Sequence, residues 1–195
     1  MTASFTKRLV AYIIDILLIT FIMALIMVII PVPREVQLYE EELEVSMQKV
    51  LNKEIELDTY ASQVYDLTYN MDSAMVGHNI ISVVIYILYF IIFQFYNKGR
   101  TVGKQIMKIG IVKEEGKLTI NDLVLRGIFI NGILFNMILL MLILLVDRRI
   151  YLAIHSFLYI VHTLFIITSA IFILFNKEKR GLHDIFAHTE VINEK

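Results

Sequence analysis

The chain has 195 residues, of which 57% are hydrophobic, whereas an ordinary soluble domain has about 45–50%. A net charge of −1 argues against a nucleic-acid-binding protein, and the absence of cysteine excludes a disulfide framework, a thiolate metal site and a cysteine nucleophile. Four apolar stretches are long enough to cross a bilayer, which takes about 20 residues. In chain order they are residues 9–30, 77–96, 127–146 and 150–175.

The first apolar stretch contains one acidic residue, Asp15, and ends in Pro31-Val32-Pro33. A central Asp costs about 2.5–3.5 kcal/mol on insertion, while each Leu, Ile, Phe or Val favours insertion by about 0.3–0.6 kcal/mol. The stretch is rich in these residues, so we expect it to insert in spite of the acid. It is also longer than the apolar core of a signal peptide, about 7–15 residues, and we expect it to remain as an anchor.

Residues 34–76 form an acidic insertion with ten acidic and three basic side chains. Apolar residues recur at helical spacing in both halves, which predicts two amphipathic helices packed on each other or on the membrane surface. The insertion is interpreted either as a solvated acidic cap or as an extracytoplasmic surface that binds cations or a basic partner.

Residues 97–126 form a basic loop with seven cationic and three acidic side chains. The stretch Gly99-Arg100-Thr101-Val102-Gly103-Lys104 is one residue too short between its glycines for a phosphate-binding loop, and Gln105 replaces the required Ser or Thr. Thr101 is instead expected to cap a short interfacial helix whose lysines reach anionic lipid heads.

A small sheet is expected in the same region. Ile109–Val112 and Leu118–Ile120 flank a turn, which predicts a β-hairpin. Thr119-Ile120-Asn121-Asp122 also fits the start of a helix that leads into the third span. In the C-terminal segment, residues 176–195, a short helix is predicted before a strand at Thr189–Ile192, which would join the hairpin as a third member.

The predicted fold class is an all-α membrane protein. It has four transmembrane helices, a small cytoplasmic β-hairpin or three-stranded sheet, and an outer helical insertion. Lys and Arg are frequent before the first span, in residues 97–126 and after the fourth span, so the positive-inside rule predicts that both termini are cytoplasmic. Arg148 and Arg149, in the predicted outer turn, depart from this pattern.

Several motifs resemble those of the RDD family of bacterial membrane proteins. That family is recognised by an Arg before the first helix, an Asp within it and an Asp in the C-terminal segment, which correspond to Arg8, Asp15 and Asp184. The resemblance covers both ends and the middle of the chain, but not the acidic insertion. It implies a multi-pass protein of the bacterial cell membrane, and family members are proposed to be transporters, some of them cation/proton exchangers. The other matching residues are Gly99, Thr101, Gly103, Lys104, Arg126 and His183.

The two acidic residues of this pattern are expected to have different partners. Arg8 lies about 10 Å from Asp15 along the helix axis and leans away from it, so a direct bridge between them is not expected. A structural ion pair between Arg8 and Asp184 is predicted instead, docking the C-terminal segment onto the first helix. Asp15 is expected to be protonated because of desolvation, or to pair with Arg126 or Lys104 reaching in from the interface.

Polar residues within the apolar stretches are the candidate transport or ion-binding site. Ionisable groups inside membrane helices usually face the bundle interior and often mark ion routes. The same residue types also hold membrane helices together by hydrogen bonds, and this structural role stays open for each of them. The candidates, from the layer at the depth of Asp15 to the deeper residues, are Asp15, Asn131, Thr168, Gln94, His162 and His155.

Two functional hypotheses follow. The first is transport of a small cation or a proton-coupled solute through the polar seam at Asp15, with a homodimer because four helices make a thin wall. The second is a non-transporting adaptor or regulator that binds a membrane protein partner through its acidic outer or basic inner region. Enzyme, cofactor and metal motifs are not recognised, and no nucleic acid is expected. The lipid bilayer is the expected partner, with anionic lipid heads at the cytoplasmic face.

Overall fold

The computed structural model describes residues 1–194, which form mostly helices and one small sheet. A π-helical segment, Leu88–Phe93, connects the helices Val76–Ile87 and Gln94–Tyr96 without a break in the helical path. The strands are β1 (Ile109–Lys113) and β2 (Thr189–Asn193). The helices are α1 (Phe5–Ile29), α2 (Arg34–Leu51), α3 (Leu57–Ala74), α4 (Val76–Ile87), α5 (Gln94–Tyr96), α6 (Val102–Ile106), α7 (Ile120–Ile130), α8 (Ile133–Leu145), α9 (Arg148–Phe175) and α10 (Leu182–Phe186).

Three helical stretches are long and apolar enough to cross a membrane: Phe5–Ile29, Val76–Tyr96 and Arg148–Phe175. The helices α7 and α8 together supply a fourth crossing if the pair is one span, although their axes differ in direction by 68°. The helix predicted over residues 127–146 is therefore not continuous: it is divided between the end of α7 and α8. The chain bends at Gly132, whose φ of 66° is a left-handed conformation that glycine adopts without steric cost.

The sheet differs from the predicted hairpin. Strand β1 pairs antiparallel with β2, so that Ile109 lies opposite Asn193. Thr119 caps α7 in a capping box with Asp122, and this helix start takes up the residues predicted for the second hairpin strand. The hairpin prediction is wrong for that reason, whereas the C-terminal strand is present.

The N-terminal residues cover the other edge of β2, where no strand was predicted. The Ala3 N–H donates to the Val191 carbonyl at 2.8 Å, and Thr2 forms a bridge with Ile192. One face of the sheet packs on the helices. We call this end of the molecule the sheet end. The buried core at this end consists of Ala3, Ala11, Ile91, Ile109, Ile111, Leu123, Ile133 and Val191.

At the opposite end, α2 and α3 pack on each other as predicted for the insertion, and we call this pair the acidic hairpin. The Tyr151 hydroxyl of α9 donates to Asp72 at 2.9 Å, and Arg148 lies 3.1 Å from Asp66. Arg148, which departs from the positive-inside pattern, therefore has an acidic partner in the hairpin.

Candidate functional site

Asp15 is buried on α1, with 1% of its surface exposed, and its carboxylate accepts three hydrogen bonds. Oδ1 accepts from the Tyr89 hydroxyl at 2.6 Å and from the Gly103 N–H at 2.7 Å. Oδ2 accepts from the Thr101 hydroxyl at 2.5 Å. A buried carboxylate requires such donors because it has lost its water. Asp15 thereby joins α1 to α6 and to the π-helical segment.

The helix α6 reaches Asp15 because Gly103 has no side chain. A Cβ atom there would lie 2.0 Å from the Ala11 carbonyl oxygen of α1 and 2.9 Å from Asp15 Oδ1. Thr101 caps α6, since its hydroxyl oxygen accepts from the Lys104 N–H at 3.4 Å while the hydroxyl donates to Asp15. One threonine therefore both starts this helix and anchors it on α1.

Tyr89 approaches Asp15 from the π-helical segment. Such segments are rare in proteins and occur frequently at functional sites. The Tyr89 hydroxyl donates to Asp15 and accepts from the Val102 N–H at 3.1 Å. Tyr89 therefore connects α1, α6 and the segment on which it lies.

A second buried carboxylate, Asp184 of α10, binds two arginines from different helices. Arg8 Nη1 of α1 lies 2.9 Å from Oδ2, and Arg126 Nη1 of α7 pairs with Oδ1. The Gly181 N–H also donates to Oδ2, at 3.0 Å. The ion pair predicted between Arg8 and Asp184 is thus present and docks α10 onto α1. Arg126 has Asp184 as its partner, so the alternative in which Arg126 pairs with Asp15 is wrong.

His183, next to Asp184, contacts the fourth apolar helix. Its Nδ1 lies 2.6 Å from Ser169 Oγ of α9, and the same oxygen accepts from the Leu182 N–H at 3.1 Å. Burial, and then the nearby cationic side chains, lower the pKa of His183 well below its ordinary value. His183 is therefore neutral at neutral pH and connects α9 to α10.

A cavity of about 250 Å³ lies at the sheet end, where the Asp15 and Asp184 clusters meet. Its wall is built by α1, the π-helical segment and α5, α6, α7, α9, α10 and the two strands, and most of it is apolar. The polar and charged lining residues are Arg8, Asp15, Gln94, Lys104, Arg126, Asn131, Ser169 and His183.

Lys104 faces this cavity from α6, although its side chain was expected to extend toward lipid heads. Its ammonium group forms no hydrogen bond or salt bridge within residues 1–194. Burial, and then repulsion from Arg126, lower the pKa of Lys104 to about 7. Both the charged and the neutral form of Lys104 are therefore populated at neutral pH.

The comparison with protein-family models found one that matches the chain. The model of the RDD family matches residues 2–188, nearly the whole chain. The chain belongs to the RDD family. No curated protein and no solved structure matches it.

In this RDD protein, the motif residues gather at the sheet end. Lys104, Arg126 and His183 line the cavity, while Thr101 and Gly103 bind Asp15. Gly99 is left-handed, with a φ of 81°, and its carbonyl oxygen accepts from Gln94 Nε2 at 3.1 Å and from the Ile111 N–H at 3.1 Å. The motif residues therefore surround one cavity or support the elements around it.

The structure brings only part of the predicted polar layer together. Gln94 and Asn131 line the cavity with Asp15. Thr168 does not line it, whereas the next two residues of α9, Ser169 and Ala170, do. Asp15, Gln94 and Asn131 are thus the members of the predicted layer that share the cavity.

The two histidines lie away from the cavity. His162 Nε2 lies 3.0 Å from the Phe129 carbonyl oxygen, which can only accept, so this nitrogen carries the proton. His155 stacks on Tyr151, with ring centroids 5.8 Å apart. Within the described residues, no group of three His, Asp or Glu side chains is arranged to hold a metal ion.

Two residues of the site, Tyr89 and Ser169, were not predicted. Tyr89 lies in a run of aromatic and aliphatic residues, and only its hydroxyl distinguishes it from Phe90. Ser169 follows Thr168, and hydropathy does not indicate which of two adjacent hydroxyl residues faces the interior. A contact between distant elements decides both positions.

Proposed function

We propose that this RDD protein has four spans with both termini in the cytoplasm, and that it transports a small solute coupled to protons. The cavity at the sheet end is the observation that carries the proposal. It lies at the depth of a buried carboxylate and contains an unpaired lysine that titrates near neutral pH. Ionisable groups that face a cavity between membrane helices are typical of proton and substrate routes.

The contacts favour Lys104 as the proton-carrying group and give Asp15 a positioning role. The Asp15 carboxylate is occupied by donors from Tyr89, Thr101 and Gly103, so a proton or cation would have to displace them. Asp15 holds α6 on α1, and α6 presents Lys104 to the cavity. Loss of either residue is therefore expected to stop transport, for different reasons.

The break between α7 and α8 supports a moving element beside the cavity. Ile130 and Asn131, which end α7, line the cavity directly before the left-handed Gly132. In membrane transporters, broken helices occur where irregular backbone lines a cavity. Near the break, the Phe129 carbonyl accepts from His162 Nε2 at 3.0 Å and from the Gly132 N–H at 3.3 Å, so this backbone acceptor is paired.

Proton flux in liposomes tests this proposal. Protein is reconstituted with a pH-sensitive dye inside the vesicles, and inorganic cations and organic solutes are scanned over a range of pH. We expect solute-dependent proton flux that Lys104→Gln abolishes and that Lys117→Gln, in the same basic loop but exposed, leaves unchanged. Asp15→Asn is expected to lose flux together with stability. Normal flux in Lys104→Gln, or none in the wild type across the scan, would end the proposal.

The exposed surface of the acidic hairpin favours a second candidate function, a non-transporting adaptor. Leu38, Val45 and Tyr65 are each about half exposed on helices that carry many acidic side chains. An adaptor would bind a partner protein here by apolar contact and charge complementarity. Deleting residues 36–75 should then remove the partner without changing any ion flux. Purification of the intact protein without a partner counts against this function.

A further inference from the structure

The cavity has an excess of positive charge. Arg8, Lys104 and Arg126 supply three cationic groups against the two carboxylates of Asp15 and Asp184. Asp184 pairs with the two arginines, and Asp15 is occupied by neutral donors. Lys104 therefore faces the cavity without a direct counter-ion among residues 1–194.

Arg126 adds further donors. Its Nη1 pairs with Asp184 and lies 3.4 Å from Thr189 Oγ1. Its Nε and Nη2 form no hydrogen bond in the described part of the chain, although a guanidinium has five N–H donors. The remaining N–H groups of the Arg126 guanidinium can donate to a carboxylate or phosphate group.

The remaining wall suits an alkyl chain. The cavity volume of about 250 Å³ can hold about eight groups of the size of a water molecule, at about 30 Å³ each. Leu9 and Ile166 line the cavity and are 43% and 37% exposed. The other apolar lining residues include Phe5, Phe90, Ile130, Ala170 and Ile173.

We propose that this cavity binds an anionic amphiphile, with a carboxylate or phosphate head at Lys104 and Arg126 and an alkyl chain along the apolar wall. The inference rests on the proposed function in placing the solute in this cavity, and it names the chemical class of that solute. Inorganic cations do not fit, because protonated Lys104 repels them and hydrogen-bond donors enclose the Asp15 carboxylate. Free single-chain anions and anionic phospholipids both have the required chemistry.

Binding of the head is coupled to the protonation of Lys104. Its pKa of about 7 means that the charged fraction falls from about nine-tenths at pH 6 to about one-tenth at pH 8. His183 stays neutral because its pKa lies well below the ordinary value. We therefore expect affinity to fall about tenfold over this range. The charged and titratable groups around Lys104 are Arg8, Tyr12 and Asp15 on α1, Tyr89 on the π-helical segment, Arg126 on α7, and His183 and Asp184 on α10.

Binding to full-length protein in phosphatidylcholine nanodiscs tests the inference, with empty nanodiscs as background. The probes are octanoate, octyl phosphate, octanol and inorganic phosphate. We expect the two amphiphilic anions to saturate one site, and octanol and inorganic phosphate to bind at least about tenfold more weakly. Competition from added phosphatidylglycerol would identify a phospholipid as the source, and its absence a free single-chain anion. Equal binding of octanol and octanoate, or no saturable binding, overturns the inference.

Variants of Lys104 distinguish a role in binding the anionic head from a structural role. Lys104→Gln should lower octanoate affinity at least about tenfold at pH 6, while the exposed control Lys117→Gln should not change it. Lys104→Arg keeps the charge, so it should keep binding and lose the dependence on pH between 6 and 8. A pH dependence that persists in Lys104→Arg overturns the inference even if Lys104→Gln does not fold. Octanoate binding without any flux would refute transport alone, whereas proton-coupled flux without octanoate binding would refute this inference alone.

Discussion

The backbones of α6 and α1 approach each other closely at Gly103, and Gly103→Ala perturbs this contact directly. The added Cβ would lie 2.0 Å from the Ala11 carbonyl oxygen, whereas real Cβ contacts below 3.0 Å essentially do not occur. The difference requires α6 to move by about 1 Å. The 2.7 Å bond from the Gly103 N–H to Asp15 would then lengthen to about 3.7 Å, beyond the usual limit of about 3.2 Å.

The expected loss of stability follows from these contacts. A hydrogen bond to a charged group contributes about 1.5–3 kcal/mol. Alanine is favoured over glycine in a helix interior by about 0.8–1 kcal/mol, which offsets part of the loss. We therefore expect Gly103→Ala to destabilise the protein by about 0.5–2 kcal/mol, which lowers the unfolding temperature by about 1–8 °C for a chain of this length.

Thermal unfolding in detergent, followed by far-UV circular dichroism, measures this change. The matched control is Gly77→Ala, because a Cβ at Gly77 meets no atom within 4 Å. The control should unfold at or slightly above the wild-type temperature. If both variants unfold within about 1 °C of the wild type, the tight contact between α6 and α1 is refuted.

Three further predictions concern the charged groups. Asp184→Asn leaves two buried arginines without their carboxylate, so it should cost about 3–5 kcal/mol in thermal unfolding, and a change below about 1 kcal/mol would contradict the paired geometry. The pKa of Lys104 is lowered to about 7 in the folded state, so above that pH the unfolded chain binds more protons than the folded chain. The free energy of unfolding of the wild type should therefore rise from pH 7 to pH 9 relative to that of Lys104→Met. Parallel pH profiles of the two proteins would refute this. In the cysteine-free chain, Glu54→Cys should react with an impermeant maleimide in intact cells, and Lys117→Cys should react only after lysis. The reverse pattern would refute the proposed topology with cytoplasmic termini.

The sequence alone was sufficient for features that depend on local chemistry. Hydropathy identified the apolar stretches, and helical periodicity in the insertion predicted α2 and α3, because each element's buried side is encoded in its own residues. The cap at Thr101 follows from the residue type at a helix start. The Arg8–Asp184 pair could be predicted because both residues adjoin apolar stretches at the same end of the helices.

Apart from the Arg8–Asp184 pair, tertiary structure decided the contacts between elements distant in the chain. The donors to Asp15 come from Tyr89, Thr101 and Gly103, which no pattern around Asp15 indicates. The turn after β1 suggested a hairpin partner at Leu118–Ile120. Thr119 instead caps α7, and β1 pairs with the C-terminal strand β2. Periodicity reports which face of an element is buried, but the partner of that face depends on how closely two backbones can approach. At Gly103, α6 and α1 approach closely because glycine has no side chain.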